Sequence, residues 1–132
     1  MFRATRPLFY AAQALKETTG RVGLPVHKNP LPALKSLYTE TLTGLAALPA
    51  SSVYRQATEA LTKNRMAIVE RAGEDISAAE RELGTIVEIA IEEAKIEKHL
   101  LGQMGEWKAW EPLEEKPEPN QWRYFDPTGD SL

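Results

Sequence analysis

The placement of proline decides where this chain can be helical. Proline fixes φ and has no amide hydrogen, so a helix tolerates it in the first turn and breaks at it elsewhere. Pro25, Pro30 and Pro32 crowd the stretch ETTGRVGLPVHKNPLPA (17–33) together with Gly20 and Gly23, which predicts extended chain and turns there. Pro112, Pro117, Pro119 and Pro127 forbid a regular helix beyond Trp110, and no strand alternation replaces it. Helical structure is therefore expected between about Pro32 and Trp110.

Inside those limits the apolar residues recur at helical spacing. Leu34, Leu37, Tyr38, Thr41, Leu42, Leu45 and Leu48 form one face of a helix that starts at Pro32 and is stopped by Pro49. Ser51 or Ser52 can cap a second helix, whose face reads Val53, Tyr54, Ala57, Leu61, Met66, Ile68, Val69 and Ala72, with Gly73 ending it. The short connection predicts an antiparallel hairpin. Asp75 opens a third, short helix in which Ser77 and Glu80 are spaced as a capping box. After a break at Gly84, Thr85 and Glu88 are spaced as a second box. A long helix then runs from about Ile86 to about Trp107. Ile86, Val87, Ile89, Ala90, Ile91, Ala94, Ile96, Leu100, Leu101 and Met104 cover more than one stripe of it, as in a helix buried between neighbours or against a partner. The expected fold is all-α: a small three-helix bundle plus one short helix (32–110), between a basic, turn-rich N-terminal arm (1–31) and a Pro-rich extended C-terminal strap (111–132).

Several function classes drop out on composition. No apolar run approaches the roughly 18–20 residues of a membrane span. The net charge is −3 without a Lys/Arg cluster, which argues against nucleic-acid binding. The absence of cysteine removes thiolate metal sites, iron–sulfur clusters, disulfides and cysteine nucleophiles. The start of the chain carries Arg3, Arg6 and Lys16 with no acid before Glu17, and apolar Phe2, Leu8, Phe9, Tyr10 and Leu15 among them. That pattern suits either a mitochondrial targeting segment or an ordinary N-terminal strap.

Catalytic and ligand-binding signals are weak. Gly20–Gly23 is a GxxG, but no Gly-Lys-Thr/Ser follows it and the β elements of a KH domain are missing. His27 and His99 lie far apart, and the residue four before His99 is Lys95, so neither has a metal-ligand partner. No serine sits in a Gly-x-Ser-x-Gly elbow. Glu88, Glu92 and Lys95 are spaced as a solvated helix face. Arg55, Lys63, Arg65, Arg71 and Arg81 could line an anion site in a small all-α enzyme of the chorismate-mutase type, but the apolar stripe leaves most of them outside. No catalytic residue, cofactor or metal is expected.

The strongest remaining signal is aromatic. Trp107 and Trp110, three residues apart, share one side of a helix end, and Trp122, Tyr124 and Phe125 follow on the strap. Each large ring buries on the order of 150–250 Å², enough to dominate a docking surface. Trp107 and Trp110 are placed either to close the bundle or to line its seam with a partner. Trp122 and the residues after it are read as docking on a partner.

The combination of KETTGRVGL (16–24), Leu37-Tyr38-Thr39, Tyr54-Arg55 with Thr58-Glu59, EWKAWEPL (106–113) and NQW (120–122) resembles the family of subunit 5 of the alpha subcomplex of mitochondrial NADH:ubiquinone oxidoreductase, respiratory complex I. The matching segments run in order from about residue 16 to about residue 125. The resemblance implies a non-catalytic accessory subunit at the inner membrane, peripheral, on the matrix side, packed against other subunits of the peripheral arm, particularly the 30-kDa core subunit. Carried over by position, Gly20, Gly23, Leu24, Trp107, Trp110, Pro112 and Trp122 are expected at partner contacts, joined by Tyr124 and Phe125. Residues 1–15 look longer and more basic than the family's short start. The LYR-motif assembly adaptors are a neighbouring possibility, set aside because Leu37-Tyr38 is followed by Thr39 rather than arginine.

Overall fold

The computed structural model describes residues 16–119 and 121, which form four helices and no strand: α1 (Pro30–Leu45), α2 (Val53–Ala72), α3 (Ile76–Leu83) and α4 (Val87–Trp107). Trp122, Tyr124, Phe125 and residues 1–15 lie outside the described residues.

Helix α1 begins two residues earlier than Pro32. Its N-cap Asn29 makes no side-chain capping bond, and Pro30 in the first turn has no amide hydrogen in need of one. It also ends before Pro49: the Ala47 and Leu48 amides reach back to Gly44 and Leu45 (both 3.1 Å), tightening the last turn. Leu31, Leu34, Tyr38, Thr41 and Leu45 form its buried face. Of the two capping serines it is Ser52 that works, its hydroxyl accepting the Arg55 amide at 3.3 Å, and Gly73 closes α2 at φ 62°.

The buried face of α2 departs from expectation. Thr58, Thr62, Ile68 and Val69 turn inward, while Val53, Ala57 and Leu61 are exposed. Thr58 and Thr62 are four apart and occupy the stripe facing the bundle, so one side of α2 seals with methyl groups and hydroxyls instead of leucine.

Both expected capping boxes are also replaced. Asp75 caps α3 by accepting the Ala78 amide at 3.0 Å, which leaves Ser77 inside the helix. Glu80, freed from the first box, accepts the Val87 amide at 3.0 Å and so caps α4 from the neighbouring helix. Ile86, not Thr85, is the N-cap residue of α4 and makes no side-chain bond. Glu88 takes part in no box. Nor does it belong to a solvated face, because it is only 3% exposed.

Helix α1 lies at the centre, packing most extensively against α4 and next against α2. It runs parallel to α4: Leu31 and Leu34 share a cluster with Val87, Ala90 and Ile91, and Leu45 and Leu48 share a second cluster with Leu101. A Cβ on Gly44 would lie 2.5 Å from Leu101 Cδ2, so the glycine lets the two helices close up there. Helix α2 returns antiparallel to α1, with Lys35 and Glu70 paired at 3.0 Å. Among the described residues no helix is long and apolar enough to cross a membrane.

Candidate partner-binding surfaces

The KETTGRVGL segment folds into a hydrogen-bonded loop at the end of the bundle where α1 and α4 begin. The Thr19 hydroxyl donates to the Leu24 carbonyl (2.7 Å) and accepts the Arg21 amide (3.3 Å), and Thr18 Oγ1 accepts the Gly20 amide (3.1 Å). Gly20 and Gly23 sit at φ 68° and 79°, in the left-handed region that a side chain would strain. Leu24 is half-buried, and Val22 at the tip is fully exposed. Lys16 fastens the loop to the bundle. Its ammonium pairs with Glu80 and lies 3.3 Å from Glu88 Oε2, the one ion pair of that buried carboxylate among the described residues.

At the opposite end, Trp107 and Trp110 separate. Lys108 takes a left-handed conformation at φ 49° and ends α4, with its amide on the Met104 carbonyl at 3.1 Å. Trp110, now beyond the helix, turns back and packs half-buried on Leu45, Leu48 and Leu101. Trp107 on the last turn stays 63% exposed, near the exposed side chains of Pro112 and Leu113 in sequence. The shared side expected from a spacing of three residues is lost because the helix stops between the two rings. Trp110 thus closes the bundle, and Trp107 is open to solvent.

The candidate site residues therefore fall into two groups. Gly20, Gly23 and Leu24 lie at one end, and Trp107, Trp110 and Pro112 at the other, separated by the length of α4, whose 21 residues span about 30 Å.

The cations considered for an anion site do not converge. Arg55 donates to the Leu48 carbonyl and pairs with Glu59 (3.7 Å), and Lys63 shares Glu59 (2.5 Å). Arg65 pairs with Glu93 (2.8 Å), Arg71 pairs with Glu82 (2.9 Å), and Arg81 Nε donates to the Ser77 carbonyl (3.3 Å). Most are bound to carboxylates of this chain, and among the described residues Arg65 and Arg81 line separate clefts. Tyr38, the tyrosine of the near-LYR stretch, is a core residue at 3% exposure. Its hydroxyl is buried beside the Arg65 guanidinium, without a hydrogen-bond partner of good geometry among the described residues.

Residues 23–93, which hold α1, α2, α3 and the start of α4, match the family described as "ETC complex I subunit conserved region". The chain is 49% identical to the NADH dehydrogenase (ubiquinone) 1 alpha subcomplex subunit MCI4 of Candida albicans over 109 residues, 81% of this chain and 78% of that one. It is 40% identical to alpha subcomplex subunit 5 of Bos taurus over 114 residues, 86% of this chain and 97% of that one. The mouse subunit 5 gives 42% over the same coverage. The chain belongs to the complex I alpha subcomplex subunit 5 family. Within this family member, the matched region stops short of Trp107, so the aromatic end lies beyond it, while the loop at Gly23 and Leu24 falls at its start.

Proposed function

We propose that this chain is a non-catalytic accessory subunit of mitochondrial respiratory complex I, which passes electrons from NADH to ubiquinone. In this reading it sits in the matrix-facing peripheral arm, on the inner membrane without spanning it, against the 30-kDa core subunit. The observation that carries the reading is the family match across most of the helical bundle, supported by relatives named as NADH dehydrogenase subunits that align over more than four-fifths of this chain.

The fold suggests how such a subunit works. A bundle with a rigid loop at one end and an exposed tryptophan at the other can hold two neighbouring surfaces about 30 Å apart. Gly20, Gly23 and Leu24 shape the first contact. Trp107 and Pro112 present the second, with Trp110 fixing its base, and Trp122, Tyr124 and Phe125 are proposed as further partner contacts. Burying a ring as exposed as Trp107 contributes on the order of 2–4 kcal/mol to docking.

The test is affinity purification of the tagged chain from mitochondria, with mass spectrometry of what accompanies it. Co-purification of complex I subunits is expected. A free monomer with none attached rejects the proposal. Truncation at Pro112 then examines the strap: assembly should be lost while the melting of the bundle is retained.

A further inference from the structure

Beside the start of α4 lies a cleft of about 510 Å³, whose lining includes Arg21 from the loop, Glu80 and Arg81 from α3, and Thr85, Ile86 and Ile89. Five arginines lie among the described residues. Arg55, Arg65 and Arg71 each pair with a glutamate of this chain. Arg21 and Arg81 form no ion pair among the described residues, and both line this one cleft. Glu80, the carboxylate beside them, is already held by the Val87 amide and the Lys16 ammonium. The cleft therefore presents two guanidinium groups that form no ion pair among the described residues, on a protein whose net charge is −3.

The geometry is held in advance. Arg81 is steadied along α3 by its bond to the Ser77 carbonyl, and Arg21 stands on a loop fixed by Thr18, Thr19 and the positive φ of Gly20 and Gly23. An ordered loop whose tip, Val22, is fully exposed has met the entropy cost of docking beforehand. Arginine favours planar, two-pronged pairing with carboxylates, and Ile86 and Ile89 offer an apolar wall for the stem of the incoming side chain.

We propose that this cleft receives an aspartate or glutamate side chain of a neighbouring protein subunit, its carboxylate set between Arg21 and Arg81 while Val22 packs beside it. The proposal rests on the reading of the chain as a complex I subunit and assigns the chemistry of the contact at its loop end.

The experiment compares tagged full-length wild type with the Arg21→Glu/Arg81→Glu double variant in mitochondria. A second arm places a photo-crosslinking amino acid at position 22. The isolated double variant should melt like wild type, since neither arginine is in the core, while its retention in the complex falls roughly five- to tenfold and falls further as salt is raised. The crosslink should land on a segment of another subunit that bears Asp or Glu. Retention equal to wild type overturns the inference. So does a crosslink from position 22 to lipid, to a second copy, to this same chain, or to nothing. If the double reversal melts early, Arg21→Gln and Arg81→Gln decide the matter on the same two outcomes. Failure of the wild type itself to co-purify rejects the parent reading instead, so the two failures are told apart.

Discussion

The Val87 amide donates to Glu80 Oε1 at 3.0 Å, so a side chain of α3 caps α4 across the turn at Gly84. The same carboxylate holds Lys16, which joins the N-terminal loop to the two helices at one point. Glu80→Ala removes a cap and an ion pair together and should cost about 1–3 kcal/mol. Glu80→Gln keeps an acceptor for Val87 and should cost less. Chemical denaturation of both variants checks the order, and equal losses would show that the capping bond contributes nothing.

Glu88 is buried and pairs with Lys16 at 3.3 Å. Lys16→Ala leaves that carboxylate without a counter-charge and should destabilise by about 2–4 kcal/mol. Adding Glu88→Gln removes the stranded charge, so the double variant should recover much of the loss. A double-mutant cycle by urea denaturation measures this, with coupling near zero as the opposing outcome.

The two tryptophans of the helix end should respond oppositely. Trp110→Ala uncovers Leu45, Leu48 and Leu101 and is expected to lower bundle stability by about 1–3 kcal/mol. Trp107→Ala, at 63% exposure, should change stability by less than about 0.5 kcal/mol yet weaken retention in the complex. Melting and co-purification of each variant separate the roles.

Stability should fall at both ends of the pH range. Burial, then the 2.5 Å hydrogen bond to Glu97, holds the Tyr54 hydroxyl above its ordinary value of 10.0, and burial raises Tyr38 in the same direction. A phenol raised in the folded state contributes stability that is intact below pH 10 and lost as pH rises further, because the unfolded chain ionises first. Glu40 is held below 4.5 by its hydrogen bond from Lys98, then by Ser36, and Glu59 is held below by Lys63. Their contribution is present above that value and lost as pH falls through the depressed one. Denaturation midpoints measured across pH should decline more gently above pH 10 for Tyr38→Phe/Tyr54→Phe, and more gently in acid for Lys98→Met.

The helical architecture was legible in the chain because its signals are local. Pro30 and Pro32, Ser52, Gly73, Asp75 and Gly84 act on their own turn of backbone, and α2 and α4 fall within a residue of where those punctuators put them. The capping boxes were not legible. Ser77 with Glu80 and Thr85 with Glu88 have the right spacing, but spacing cannot show that Glu80 has a better use on the next helix. The stripe on α2 failed for a related reason. Leu61 is more apolar than Thr62, but the position of α1 selects which of the two faces inward.

The order of proline, glycine and apolar periodicity was enough to settle helix number and approximate limits, since each depends on near neighbours, while the resemblance to the family rested on the motifs KETTGRVGL and EWKAWEPL. Tertiary packing decided which charges are buried, that Trp107 and Trp110 part company at Lys108, and that the loop and the aromatic end lie at opposite poles. It also brought Arg21 and Arg81, sixty residues apart in the chain, to one cleft. The physical reason is that burial, counter-charge and distance are properties of surfaces that meet only after the helices pack, and no local pattern of residues encodes which surfaces those are.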